Sequence, residues 1–152
     1  MLAPPMKTFT VLCLGLLAAS TSVFSQDAAA DPGKATFMIC SACHGPDGKG
    51  LAAGDKKMAP SLAGSKIALG DPELFATVVL KGIKKEGEDY LQMMAPLPLP
   101  DEQLAAVMTY VRASFGNTAA AVTAEQVKGY REKTKDLPGP LTRAKLEELG
   151  KK

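Results

Sequence analysis

An all-α fold of several short helices is predicted by three observations. Apolar residues recur at helical spacing around residues 72–83 and 101–115, and Asp-Pro pairs at 31–32 and 71–72 mark helix starts. Little of the chain alternates at the period of a strand. Aromatic residues make up only 5% of the 152 residues and Trp is absent, so the core is lean unless a large apolar group completes it. The length fits one globular domain with extensions. The formal charge of +2, from 18 basic and 16 acidic residues, excludes the basic excess that nucleic-acid binding needs and the acidic excess of a disordered chain.

The amino-terminal stretch reads as a secretory signal peptide over residues 1–25. Met6-Lys7 precedes an apolar run from Phe9 to Ala19, and Val23 and Ser25 occupy the small-residue positions of a cut after Ser25. The run is too short to span a bilayer, and no transmembrane segment is expected in the mature chain, which starts near Gln26 in the periplasm. Met6 is a better natural start than Met1. Cys13 leaves with the peptide, so the mature chain has two cysteines, Cys40 and Cys43.

Asp31 and Pro32 supply a cap and a first-turn proline for a helix that carries Phe37 and Ile39 into Cys40. Three glycines and a proline within residues 45–50 then require a turn-rich loop. Asp71-Pro72-Glu73 repeats the cap, and Leu74, Phe75, Val78, Val79 and Ile83 give a helix that ends near Gly82. Residues 84–90 form a charged loop, and Pro96, Pro98 and Pro100 hold the next stretch extended. The clearest helix runs from Asp101 to Phe115: acids fill its first turn, Leu104, Met108, Val111 and Phe115 share a face, and Gly116 stops it.

The chemistry concentrates in Cys40-Ser41-Ala42-Cys43-His44. Two cysteines one helical turn apart with an adjacent His form the attachment signature of a c-type haem: each thiol adds to a vinyl group, and the tether presents His44 to the iron. A dithiol redox site would be expected among alternating strands and helices. Zinc would need more ligands than the single His of the chain allows. With His44 on one side, a thioether suits the other axial position. Met38 is too close to His44 in sequence to reach the far face, and Met108 lies on an apolar stripe. Met58 remains possible in its loop, while Met93 and Met94, next to a proline-stiffened segment, form the strongest pair. Gap-filling in the core is the competing role for all five.

Residues 31–117 resemble the class I (mitochondrial-type) monohaem cytochromes c. The matching features are Gly33 with Phe37, then Cys40 to Gly45, Asp47-Gly48-Lys49-Gly50, Ala59-Pro60-Ser61-Leu62, Met94-Ala95-Pro96, and Ala105 to Arg112. The resemblance implies a small cytochrome c fold wrapped around one covalently attached haem c. It implies attachment at Cys40 and Cys43, His44 as proximal iron ligand and Met94 as distal ligand, with Met93 the alternative in the doublet. It further implies that the Pro60 carbonyl accepts the other ring N–H of His44, and that Gly33 is small because the first and last helices cross there, near Phe37 and Tyr110. Phe37 stands three residues before Cys40 where four is commoner, and Pro98-Leu99-Pro100 replaces the usual polar cap of the last helix.

The haem domain is thus assigned to residues 26–117 and a C-terminal helical extension to 118–152. Asn117-Thr118 and the three alanines that follow, Ala119 to Ala121, read as a hinge. Thr123 caps a helix with Gln126, and Val122 and Val127 have staple spacing. After Leu137-Pro138-Gly139-Pro140, residues 142–149 suit one more short helix. The extension carries eight basic and five acidic residues and reads as an appendage or a docking element. The expected function is single-electron transfer between transient redox partners in the periplasm, without catalysis by this chain. The competing reading is a haem subunit of a dehydrogenase or the electron-accepting module of a terminal oxidase.

Overall fold

The computed structural model describes residues 31–87 and 89–151, and the expected signal segment with Cys13 lies outside them. Among the described residues six helices, α1 (Pro32–His44), α2 (Lys66–Leu69), α3 (Pro72–Lys81), α4 (Asp101–Ala113), α5 (Ala124–Thr134) and α6 (Arg143–Leu149), pack around two adjoining apolar clusters, with a hairpin of two-residue strands, β1 (Ala52–Ala53) and β2 (Lys56–Lys57), in the first loop. The fold is all-α, as the sequence predicts.

Helix starts follow local chemistry. Asp31 Oδ1 accepts from the Gly33 and Lys34 N–H groups at the head of α1, and Asp71 does the same for Glu73 at α3. Thr123 and Gln126 form the reciprocal capping box of α5, and Val122 and Val127 are both buried beside it. Helix α3 ends at Lys81, so Ile83 lies beyond it and pairs with other segments instead. Helix α4 ends two residues before the expected Phe115, which adopts a φ of 61°. That turn brings the Phe115 ring to 5.2 Å from Phe37 and 5.8 Å from Tyr110, and the Phe37 and Tyr110 rings stand 5.3 Å apart. The aromatic trio locks α1 against α4. Where these helices cross, a Cβ on Gly33 would collide with the Ala106 carbonyl, so only glycine fits.

Two buried polar side chains organise the rest. The Arg112 guanidinium, at the end of α4, donates to Ala120 O (2.7 Å), Ala68 O (2.6 Å) and Gly70 O (3.1 Å), tying α2 and the start of the extension to α4. Asn117, read from sequence as part of a hinge, is buried: it accepts from Gly64 N–H (2.9 Å) and donates to Leu62 O (3.1 Å) and Val111 O (2.8 Å). Arg131 pairs with Asp101 at 2.7 Å, and Lys133 with Glu73 at 2.7 Å, which fixes α5 to α4 and α3. The start of the extension and α5 therefore pack on α3 and α4.

Candidate functional site

Cys40, Cys43 and His44 occupy the last turn of α1, so the motif sits on a rigid element whose end is tightly fastened. Gly45 turns the chain at a φ of 75°. The loop then folds back: Gly50 N–H donates to His44 O (2.7 Å) and Leu51 N–H to Cys43 O (2.9 Å), which satisfies carbonyls that a helix end leaves open. Leu62 N–H reaches Gly48 O at 2.7 Å and closes the loop. Gly48 combines a φ of 68° with contact against the Phe115 ring, where any side chain would clash.

This closure carries Pro60 to the imidazole. His44 Nδ1 lies 2.9 Å from Pro60 O. A carbonyl only accepts, so Nδ1 carries the proton, and the neutral ring leaves the Nε2 lone pair for a metal. Burial pushes the His44 imidazole below its ordinary value near 6.5, opposed by the hydrogen bond to Pro60, and the ring is thus biased toward the neutral, ligating form.

Beside the motif lies a cavity of about 650 Å³. One stretch of its lining comes from Cys40, Cys43, His44 and Pro60, a second from Leu62, Ile67, Phe75, Val79, Val107 and Val111, and a third from residues 83–97, including Met93, Met94 and Leu97. This is the volume and apolar character of a cofactor site with a few polar groups. It accounts for the scarcity of aromatic residues in the core.

The methionines separate clearly. Met108 is fully buried in the helix-packing core and absent from the lining, whereas Met38 is 68% exposed on α1 and also absent from it. Met58, Met93 and Met94 all line the cavity. Met93 is 44% exposed, while Met94 is half-buried and packs against both apolar clusters of the core.

The residues fit a covalently bound haem and do not fit its rivals. Cys40 and Cys43 carry free thiols. Burial pushes the Cys40 thiol up, against a weaker backbone hydrogen bond, whereas a dithiol exchange site needs its attacking thiol lowered. Among the described residues no group of three or more His, Cys, Asp or Glu converges as zinc would require.

The comparisons agree with this geometry. Residues 30–114 match the cytochrome c family, and the chain belongs to it. The family match supports an electron-transfer haem protein. Over 109 residues it is 34% identical to the fructose dehydrogenase cytochrome subunit of Gluconobacter japonicus, a match that takes in 66% of this chain and 22% of that relative. The chain thus corresponds to about a fifth of the length of the curated relative it matches. Among the described residues no helix is long and apolar enough to cross a membrane.

Sequence reasoning missed two parts of this site. Arg112 and Asn117, which hold the 62–70 segment behind the cavity, look in sequence like a helix-terminal charge and a linker residue. Arg143 and Leu146, from the extension, belong to the cavity lining. No local pattern signals that.

Proposed function

We propose that one haem c occupies the cavity, joined by thioether bonds to Cys40 and Cys43, with His44 Nε2 and the Met94 sulfur as axial ligands, and that the exported chain carries single electrons between periplasmic redox partners. The observation that carries this reading is the His44–Pro60 hydrogen bond at the edge of a 650 Å³ apolar cavity, with both thiols and Met94 in its lining. When bound, the group supplies one-electron chemistry at its iron. The chain does the rest. Cys40 and Cys43 fix its position, Pro60 orients the imidazole and makes it a better donor, and the residues around Val79 and Val111 exclude water so that charge on the iron is set by the protein.

Met94 is the better distal ligand because it is half-buried against both apolar clusters, while Met93, also in the lining, is more exposed. Ile39 and Met93 line the cavity and are 53% and 44% exposed, which gives an apolar rim where a partner can approach the cofactor edge. With His44 and Met94 both holding the iron, no position would be left for an outside ligand. The reduced protein should therefore bind carbon monoxide slowly or not at all, and rapid formation of a carbon monoxide complex would contradict the ligand set.

A second reading is favoured by the relative's name: the chain serves as the haem-bearing part of a periplasmic dehydrogenase. Co-purification from the native cell separates the two. A stable complex with a dehydrogenase supports the second, and recovery as a free cytochrome the first.

A further inference from the structure

Residues 82–84 run between two other stretches of chain and are hydrogen-bonded to both. On one edge Ile83 N–H donates to Met94 O (2.9 Å) and Met94 N–H to Ile83 O (3.0 Å). On the other, Lys84 N–H donates to Leu141 O (2.8 Å) and Leu141 N–H to Gly82 O (3.0 Å). Met94 is thereby linked, through a single shared rung, to the C-terminal extension. Side chains follow the same route: Leu141 is 2% and Leu146 8% exposed, in a cluster with Val78, Ile83 and Met94. The start of α6 is fixed to the same loop, since Arg143 N–H donates to Glu86 Oε2 at 2.7 Å and its guanidinium stands 3.8 Å from Asp89. Gly139 lies so close to the Lys81 backbone that a Cβ would collide with the Lys81 carbonyl.

We propose that residues 139–146 form a positioning strap: they hold the 83–94 segment so that the Met94 sulfur stays in the cavity, and they set how readily an outside ligand displaces it. The proposal rests on Met94 being the distal ligand. A thioether is a weak donor to iron, and the described residues of 84–93 form no helix or hairpin, although Leu91 N–H donates to Lys57 O at 3.0 Å. A free loop would have to give up its conformational entropy each time the sulfur bound. A loop already ordered by four backbone hydrogen bonds and the Leu141–Leu146 contact presents the sulfur at little further cost, which is preorganisation of a ligand by a remote segment. The extension thus acts on the iron through Ile83 and Met94, without touching a redox partner.

The test is competition by imidazole for the iron of the full-length oxidised protein, read from the weak far-red sulfur-to-iron absorption. Leu141→Ala shortens the strap's buried anchor and should tighten apparent imidazole binding about tenfold. Val127→Ala removes a fully buried side chain elsewhere in the extension, on α5 and outside the cavity lining. It should lower the unfolding midpoint while leaving imidazole binding within about twofold. Leu141→Val, a smaller truncation that folds more safely, should fall between wild type and Leu141→Ala. Unchanged imidazole binding in both Leu141 variants, with the far-red absorption present in wild type, would overturn the strap alone. Equal tightening by Val127→Ala would overturn it too, because loosening would then be general. Absence of the far-red absorption from wild type would overturn the Met94 assignment and the strap with it.

Discussion

Pro60 contributes one carbonyl to the site, yet that carbonyl decides which nitrogen of His44 faces the cavity. The consequence at this scale is sharp for the methionines. Met94→Ala should abolish the far-red absorption, lower the reduction potential and open the iron to carbon monoxide, whereas Met93→Ala should change each little; the reverse order would move the ligand by one residue. Gly33 gives a test whose sign is informative. Alanine is the better helix former by about 1 kcal/mol, yet here its methyl meets the Ala106 backbone, so Gly33→Ala should destabilise by about 1–3 kcal/mol in chemical denaturation. Stabilisation would mean that α1 and α4 do not cross at this point. Cys40, Cys43 and His44 were legible in sequence because a dense local motif carries their chemistry, whereas the crossing at Gly33 was expected only from the resemblance to the cytochromes c. Arg112 was not legible, since nothing in its neighbours tells a buried guanidinium from an exposed one.

Elements with strong ends were read to within a residue or two: Asp31-Pro32, Asp71-Pro72 and Thr123 each place a capping side chain directly at a helix start. The four-residue α2 and the hairpin at residues 52–57 escaped, being too short for any periodicity to accumulate. Phe115 was assigned to α4 by its spacing, but it lies beyond the helix end, its ring tilted against Phe37 and edge-on to Tyr110. The capping box of α5 should contribute about 1 kcal/mol, so Thr123→Ala should speed hydrogen exchange in the first turn of α5 while leaving the absorption spectrum unchanged. A spectral change would mean that α5 itself shapes the cofactor pocket. Replacing Arg112 with Met should cost about 3 kcal/mol, because three carbonyls, two at the end of α2 and one in the extension, lose their donor together.

For the molecule as a whole, the extension proved to be part of the haem domain's own packing. Its pairing with residues 82–84 joins stretches far apart in the chain, and long-range pairing leaves no trace in local sequence pattern. The loop between Lys81 and Tyr90 is also read differently in three dimensions. In sequence Glu86, Glu88 and Asp89 nearly cancel Lys81, Lys84 and Lys85; in the structure Glu86 and Asp89 stand against Arg143, and Lys84 and Lys85 are exposed. The apolar rim at Ile39 and Met93 still favours association through contact more than charge. Electron-transfer rates should fall by less than about threefold between low and physiological salt. A steep fall that disappears when Lys128, Lys135 and Lys151 are changed to Gln would assign docking to the extension. Substitution is the proper form of this test, since truncation would remove Arg143 and Leu146 from the cavity wall.

The central claim is that Cys40 and Cys43 hold one haem covalently in the cavity that His44 and Met94 face. Acid-acetone treatment of the purified mature protein, followed by intact mass and thiol titration, addresses it directly. The account predicts that colour stays with the polypeptide, that the mass exceeds that of the mature chain by one haem, and that neither cysteine reacts. Haem released into the acetone phase, or two titratable thiols on a colourless chain, would contradict it.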